Sequence, residues 1–276
     1  APAGAKMRDF KVPAQANKAA LPVICIPTTA GTGSEATRFT VITDTETDEK
    51  MLIAGLGALP LAAIVDYELT FSVPARTTAD TGIDSLTHAL EALVSRRANP
   101  ESDEYALRAI RLIGPNLRTV YQDPKNAAAR EAMMKGATLA GLAFSNSSVA
   151  LVHGMSRPIG AHFHVPHGLS NAMLLPAVTA YSLNAALPRY AEAGRAIGVA
   201  GRDEGDQSAG AKLLEELSAL NRELAVPTPA AYGIDAAKWD GLLPTMAAQA
   251  LASGSPANNP AVPDAEAIMA LYRRAW

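Results

Sequence analysis

The segment Asp84-Ser-Leu-Thr-His-Ala-Leu-Glu-Ala-Leu-Val94 has apolar residues at three- and four-residue spacing, the pattern of a helix with one apolar face. Similar spacing recurs downstream, in residues 102–121, 127–142, 185–199, 209–224 and 265–274. Asp264 stands where the N-cap of the last of these helices is expected. The chain from residue 74 to residue 276 is therefore predicted to form a large all-helical domain.

The chain before residue 74 has a different pattern, with short apolar and β-branched runs that are typical of strands. Leu21-Pro-Val-Ile-Cys-Ile-Pro27 predicts a buried strand, and the β-branched run Phe39–Thr43 predicts a second. A third is expected in Ala62–Asp66, and an acidic turn in Asp44–Glu49. We place a domain boundary near Ser72–Pro74, so that residues 1–73 form part of an α/β unit.

Composition excludes several classes of protein. The 276 residues include 24 Lys and Arg against 27 Asp and Glu, a net charge of −3, which argues against nucleic acid or an anionic membrane as the main partner. Hydrophobic residues make up 49%, enough for a real core. The richest apolar run, residues 54–65, contains Pro60 and is shorter than the ~20 residues that span a bilayer. The single cysteine, Cys25, and the absence of a signal-peptide pattern predict a cytoplasmic protein.

The histidines suggest a metal site. Asp84 and His88 are four residues apart and would share one face of a helix, where they could bind a divalent ion such as Fe²⁺ or Zn²⁺. The alternative is a helix-capping aspartate beside an ordinary, partly buried histidine. Of the five histidines, the other four fall between residues 153 and 167.

Within that cluster, His153 and His167 are each followed by glycine, which permits a close backbone approach to a ligand. His162 and His164 are two residues apart and cannot share a helical face. We expect both to lie at the surface or to orient the site without binding the metal.

These residues resemble a known family. Thr-Gly-Ile-Asp84-Ser-Leu-Thr-His88-Ala-Leu-Glu and His153-Gly-Met, followed by Pro166-His167-Gly-Leu-Ser-Asn, are similar to the paired signatures of the iron-containing (group III) alcohol dehydrogenases. Pro27-Thr-Thr-Ala-Gly-Thr-Gly-Ser-Glu35 resembles the cofactor loop of that family. The resemblance covers essentially the whole chain, and its closest branch contains the lactaldehyde reductases and the propanediol and butanol dehydrogenases.

The resemblance implies a fold, an activity and a metal site. The fold would be an α/β nucleotide-binding domain, present in part at residues 1–73, followed by an all-α metal-binding catalytic domain at 74–276. The activity would be hydride transfer between a small alcohol or aldehyde and NAD or NADP, in at least a homodimer. One Fe²⁺ or Zn²⁺ would be bound by Asp84, His88, His153 and His167 and would act as a Lewis acid on the substrate oxygen.

The resemblance also implies residues around the metal. Asn146, Glu91 and His162 are unranked candidates for orienting the ligands. Phe144 resembles a wall of the substrate pocket, although an aromatic residue after an alanine-rich helix is also ordinary core.

The glycine-threonine loop is the predicted cofactor site. The glycines of the loop permit unusual dihedral angles and the threonine hydroxyls can bond ribose or phosphate oxygens. By itself the loop is more typical of a plain strand-to-helix turn, because it lacks the third glycine of the dinucleotide fingerprint. The resemblance implies that the cofactor contacts are Thr28, Thr29, Gly31, Thr32 and Lys50. A lone surface lysine is an equally good interpretation of Lys50.

The sequence departs from the family pattern in two places. Family members have an upstream segment with a Gly-Gly-Gly-Ser loop that binds the pyrophosphate, and this sequence has no counterpart of that loop. The same segment carries the residue that discriminates NAD from NADP, so the sequence does not indicate which of the two is used. Arg157 stands where the branch commonly has a histidine, four residues after His153. A guanidinium there would favour acidic substrates, unless it extends into solvent or pairs with an acid.

Two alternatives stay open at this point. One is a metal-binding helical domain that lacks dehydrogenase activity. The other is a zinc-dependent relative of glycerol dehydrogenase or dehydroquinate synthase, whose architecture is shared but whose ligand spacing fits less well.

Overall fold

The computed structural model describes residues 4–18, 20–46 and 49–276, with the side chains of residues 43, 49 and 50 left outside this description. The Lys50 side chain, a predicted cofactor contact, therefore lies outside the described part. Within the described ranges, no helix combines the length and the apolar character needed to cross a bilayer.

The N-terminal part has two small sheets. Strand β1 (Ile24–Cys25) pairs in parallel with β4 (Ala62–Ala63), and β2 (Phe39–Asp44) pairs antiparallel with β3 (Glu49–Ala54). Strand β2 confirms the prediction over residues 39–43. The acidic turn does not reach Glu49, because that residue already opens β3. The missed strand has a buried face, formed by Met51 and Ile53.

The prediction of a buried first strand is wrong. Ile24 is 61% exposed, Ile26 53%, and Leu61 beside β4 75%. Apolar strand residues are buried only where a further layer packs on them. In the part of the chain that the structure describes, the β1–β4 pair leaves these side chains open to solvent.

Helices make up the chain from residue 75 onward. Their bounds are α1 (Ala75–Val94), α2 (Pro100–Gln122), α3 (Ala127–Asn146), α4 (Leu151–Phe163), α5 (His167–Ser182), α6 (Leu187–Ile197), α7 (Asp206–Glu223), α8 (Pro229–Tyr232), α9 (Ala236–Ala252) and α10 (Ala265–Ala275). All the predicted helices are present. The domain boundary stays a prediction, and α1 begins directly after it.

Local sequence explains where several helices begin. The Asn99 side chain accepts from the backbone N–H of Ser102 and caps α2, and Asn126 caps α3 in the same way. Asp264 accepts from Ala267 and caps α10, as predicted. Helices α4, α5 and α9 lie outside the helical stretches that the sequence predicted, and each carries an internal proline, as the predicted α2 does at Pro115.

Helix α1 lies at the centre of the helical part and packs against α2, α3 and α5. Its residues from Ile83 to Val94 are all buried, including the polar Asp84, Ser85, His88 and Glu91. A buried polar group must find partners inside the protein, so this helix requires specific neighbours for each of these side chains. Those neighbours come from α4, α5 and the loop before β2.

Candidate metal centre and cofactor loop

Asp84 and His88 lie one turn apart on α1 and face the same way. Asp84 is 2% and His88 5% exposed, and His88 Nδ1 lies 3.9 Å from Asp84 Oδ1. Asp84 does not cap a helix, because α1 begins nine residues earlier at Ala75. The structure therefore has the side-by-side arrangement that a shared ion requires.

His153 reaches the same carboxylate from α4. Its Nε2 lies 3.4 Å from Asp84 Oδ1, and its Nδ1 lies 2.6 Å from Glu91 Oε2. A carboxylate accepts only, so in the neutral imidazole Nδ1 carries the proton and donates to Glu91. Nε2, the other ring nitrogen, points towards Asp84 Oδ1.

Glu91 also caps the N-terminal end of α4. This helix has no side-chain cap of its own, since Ala150 occupies the N-cap position. Glu91 accepts instead from the backbone N–H groups of Ala150 at 2.8 Å and of Val152 at 2.5 Å. The buried Glu91 carboxylate thus pairs with free N–H groups at the start of α4 and also fixes the orientation of the His153 imidazole.

His167 completes the group from the first position of α5. Its Nε2 lies 3.8 Å from Asp84 Oδ1, and its side chain is 45% exposed. Asp84, His88 and His153 offer ligand atoms that all lie within 4.8 Å of one another. His167 is therefore the solvent-facing member of a set whose other members are buried.

Asn171, one turn after His167 on α5, is a site residue that the sequence analysis missed. Its Nδ2 donates to Asp84 Oδ1 at 2.6 Å and lies 3.2 Å from His153 Nε2 and 3.3 Å from His167 Nε2. The side chain is fully buried. The four-residue spacing from His167 was the available signal, since it places both side chains on one helical face.

Glycines next to the histidines have a packing role. A Cβ at Gly168 would lie 2.4 Å from the carbonyl oxygen of Asp80, and one at Gly154 would lie 2.8 Å from the Pro256 ring. Packing alone requires glycine at both positions, and their part in admitting a ligand stays a prediction. They let α5 approach the backbone of α1 and let α4 approach the turn around Pro256.

Burial and mutual charge shift the pKa values of the cluster in different directions. Burial would raise the pKa of Asp84, but His88, His167 and His153 together lower it well below its usual range. For His88, burial prevails over the attraction of Asp84 and lowers the pKa to about 3. For His153, burial is outweighed by Glu91 and Asp84, which raise the pKa to about 9. The centre therefore holds an ionised carboxylate next to an imidazole, that of His88, which is neutral at physiological pH.

Phe144 stacks on the cluster. The ring of His88 lies between those of Phe144 and His153, at centroid distances of 4.4 Å to each. Phe144 also stacks on Phe39 of β2, at 6.4 Å. The aromatic ring thus shields one face of His88 and connects it to the N-terminal part.

The glycine-threonine loop packs directly onto the helices. Ser85 donates to the carbonyl of Gly31 at 2.8 Å, and the Gly31 backbone is close enough to His88 to favour its protonated form. A Cβ at Gly31 would lie 2.6 Å from Thr81 Cβ. Gly33 has a φ of +60°, and a Cβ there would lie 2.6 Å from Gly141 Cα. Close packing explains why both positions are glycine. It also places the loop next to Ser85 and His88 of α1.

The threonines of this loop differ in exposure. Thr28 and Thr32 are exposed, whereas Thr29 is half-buried. Thr32 Oγ1 accepts from the backbone N–H of Ser34 at 3.2 Å. The loop thus has exposed threonines at its first and fifth positions.

Other predicted residues lie apart from the cluster. Asn146 is exposed at the end of α3, where its side chain donates to Leu142 O at 2.9 Å. His162 contacts Gln249 at 2.9 Å, and His164 is exposed with a φ of +56° at the C-terminal end of α4. Of the three candidates for orienting the ligands, Glu91 has contacts that do so.

Arg157 lies one turn beyond His153 on α4, as its spacing predicts. Its side chain is exposed to solvent, yet the surrounding protein lowers its pKa, against a smaller opposing effect of Glu91. Among the ion pairs of the described residues, none involves Arg157.

Comparisons with known proteins agree with this arrangement. Residues 78–276 match the model of the Fe-containing alcohol dehydrogenase family, C-terminal, and residues 3–67 match that of iron-containing alcohol dehydrogenase. The chain is 37% identical to 1,3-propanediol dehydrogenase of Klebsiella pneumoniae over 255 residues, 92% of this chain and 65% of that protein. The alcohol dehydrogenase from Oenococcus oeni superposes with a TM-score of 0.92 at 32% identity, over 99% of this chain and 70% of that one. Sulfoacetaldehyde reductase from Bifidobacterium kashiwanohense, solved in complex with NAD⁺, superposes with a TM-score of 0.84 at 28% identity, over 98% and 69%.

The chain belongs to the iron-containing alcohol dehydrogenase family. Its fold is the expected one, a partial α/β nucleotide-binding domain followed by a larger helical domain. The chain spans slightly less than two thirds of the length of its relatives among the propanediol and butanol dehydrogenases, at 65% and 63%.

Proposed function

We propose that this chain is the substrate- and metal-binding part of a nicotinamide-dependent alcohol dehydrogenase or aldehyde reductase. The observation that carries the proposal is a buried carboxylate oxygen, Asp84 Oδ1, with imidazole nitrogens of three histidines at 3.4 to 3.9 Å around it. One carboxylate with three neutral imidazoles is a donor set that suits Fe²⁺ or Zn²⁺.

The residues present fit such an ion. His88 Nδ1 is buried and has no hydrogen-bond partner among the described residues, which is costly unless a cation is bound there. The amide nitrogen of Asn171, a group with partial positive charge, lies among Asp84, His153 and His167. We propose that Asp84, His88, His153 and His167 hold the metal, which when bound would supply Lewis-acid polarisation of an alcohol or carbonyl oxygen.

The neighbouring side chains have distinct parts in this proposal. Glu91 holds His153 so that its Nε2 faces the carboxylate, and Phe144 holds the plane of His88 and excludes water from that face. His167 is the exposed ligand, so the substrate oxygen is expected to approach from its side. Asn146 lies at the exposed end of α3, where its Nδ2 donates to Leu142 O, and its part in the site stays a prediction.

We propose that NAD or NADP lies over the loop at residues 28–33. The support is the position of that loop against His88, together with the exposed hydroxyls of Thr28 and Thr32. A nicotinamide held there would be close to a substrate on the metal. The half-buried Thr29 and the backbone of Gly31 would border the same site, and the reductase that resembles this chain was solved with NAD⁺.

The experiment that tests the metal assignment is metal analysis of matched variants. We expect about one metal per chain in the unaltered protein and in His162→Ala, whose imidazole contacts Gln249 outside the cluster. His153→Ala is expected to lose most of the metal. Equal metal content in His153→Ala and His162→Ala would contradict the assignment.

Activity is tested separately, by the absorbance of the reduced nicotinamide with a panel of small alcohols and aldehydes. Turnover that depends on the metal and falls in His153→Ala supports the dehydrogenase proposal. Metal binding with no turnover for any of these substrates, in this chain and in one extended to the length of its relatives, would instead favour a metal-binding domain without hydride transfer.

We further propose that Arg157 selects substrates with an anionic group. It lies one turn from His153, exposed, and makes no ion pair within the described part of the chain. A charged hydrogen bond is worth roughly 1.5–3 kcal/mol, so Arg157→Ala is expected to lower kcat/KM for a carboxylate-bearing aldehyde such as glyoxylate by about 10- to 100-fold. Acetaldehyde should be much less affected, and Arg108→Ala on α2 serves as the control. If selectivity between the two aldehydes stays the same, the proposal fails.

We also propose a cytoplasmic homodimer or higher homo-oligomer. The free Cys25 is compatible with a reducing compartment, and the exposed apolar side chains around β1 and β4 offer surface for association. Sedimentation velocity of the purified chain tests the oligomeric state.

A further inference from the structure

A small cavity whose lining includes none of the four proposed metal ligands lies between α1, α2, α3 and the loop that contains Ala30. Its volume is about 10 Å³, and its polar lining consists of Thr70, Thr78, Thr81 and Arg130. Valine and methionine side chains close the rest of it. A space of this size admits one water-sized or monatomic guest and excludes phosphate or a carboxylic acid.

Arg130 is the unusual member of this lining. It is 2% exposed, its Nε donates to Pro124 O at 2.9 Å, and its Nη1 donates to Thr78 Oγ1 at 3.2 Å. Its Nη2 is buried and has no hydrogen-bond partner among the described residues. A buried guanidinium nitrogen without an acceptor is costly, so an acceptor at this position would stabilise the fold.

The charge of Arg130 is also unmatched. The ion pairs of the described residues include none to Arg130, and burial, with no opposing carboxylate, lowers its pKa from the ordinary arginine value. Arginine nevertheless stays protonated at neutral pH. A covered cation normally has an anionic partner, which the side chains around this one do not supply.

The threonine hydroxyls are already engaged as donors. Thr70 donates to Tyr67 O at 2.6 Å, Thr81 to Thr77 O at 2.9 Å, and Thr78 to Val73 O at 3.4 Å. Among these polar side chains, the donor without a partner in the described residues is therefore Nη2 of Arg130. A water molecule there would accept its hydrogen bond but leave the positive charge of Arg130 uncompensated. A halide ion would both accept the hydrogen bond and neutralise the charge.

We propose that this cavity is a binding site for one monatomic anion, chloride being the abundant one. The bound ion would connect α1 and α3 beneath the glycine-threonine loop, because Ala30 lines the cavity and the Thr81 side chain packs against Gly31. The ion would act on stability and on the position of the loop, and this proposal is independent of the proposed dehydrogenase function.

Thermal denaturation of the chain in sodium chloride is the first test, with sodium gluconate keeping the ionic strength constant. Above the dissociation constant we expect Tm to rise by about 2 to 4 °C for each tenfold increase in chloride. Arg130→Met should abolish this rise, and Arg111→Met, which removes an exposed arginine of α2, should retain it. A Tm that is independent of chloride in the unaltered chain overturns the proposal.

A second measurement does not depend on the folding of any variant. Crystals of the unaltered chain grown in bromide should show an anomalous peak within hydrogen-bond distance of Arg130 Nη2. A water without anomalous signal at that position, with bromide replacing all chloride, would overturn the proposal.

Discussion

Replacing Glu91 by glutamine tests how the candidate centre is supported. Glu91 accepts from Ala150 N at 2.8 Å, Val152 N at 2.5 Å and His153 Nδ1 at 2.6 Å. A glutamine of the same shape has one acceptor oxygen, and its NH₂ group would face at least one of these donors. One buried donor then loses its acceptor, at a cost of about 1–3 kcal/mol.

Two quantities are therefore expected to change in Glu91→Gln. The free energy of unfolding of the metal-free chain, from urea denaturation, should fall by about 1–3 kcal/mol, because the start of α4 loses part of its cap. The dissociation constant for Zn²⁺, from competition with a chromogenic chelator, should rise about 10- to 100-fold, because His153 is no longer held by an anionic acceptor.

The control is Glu216→Gln, which removes a carboxylate paired with Arg118 at 2.5 Å on α7. It should leave the Zn²⁺ affinity unchanged. If Glu91→Gln binds Zn²⁺ as tightly as the unaltered chain, Glu91 does not position a metal ligand, whatever happens to stability. If stability is also unchanged, the shared cap is refuted as well.

Two further predictions concern the parts around the centre. Gly33→Ala should destabilise the chain by about 1–3 kcal/mol, since φ is +60° and the added Cβ would lie 2.6 Å from Gly141 Cα. Gly201→Ala, where nothing lies within 4 Å of the added atom, is its control, and equal urea midpoints for the two would contradict the packing argument. Asp264→Ala should cost about 1 kcal/mol through the lost cap of α10, with Asp264→Asn retaining most of it in the same denaturation assay.

The helical part was predictable from sequence because its signals are local. Spacing of apolar residues locates α1, and the four-residue spacing of Asp84 and His88 places both on one face. The assignment of His153 and His167 to the same ion came from family resemblance, since nothing local connects α1 to α4 or α5. The structure shows both histidines close to Asp84, a contact that depends on tertiary packing. The bound metal stays a prediction.

Other features were beyond local reasoning. Glu91 could not be ranked above Asn146 or His162, because its partners are backbone groups some sixty positions away along the chain. Asn171 was overlooked for the same reason, as its bond to Asp84 crosses between helices. The exposure of Ile24 depends on which layers cover a strand, and composition carries no information about that.

The double use of Glu91 imposes an evolutionary constraint. A change that alters the basicity of His153 through this carboxylate also alters a helix end, so selection on reactivity and selection on folding cannot act separately at this position. A lineage that gave α4 its own cap, by a substitution at Ala150, would release Glu91 from the structural duty. The order of those two substitutions would then matter, which makes positions 91 and 150 a pair in which epistasis is expected.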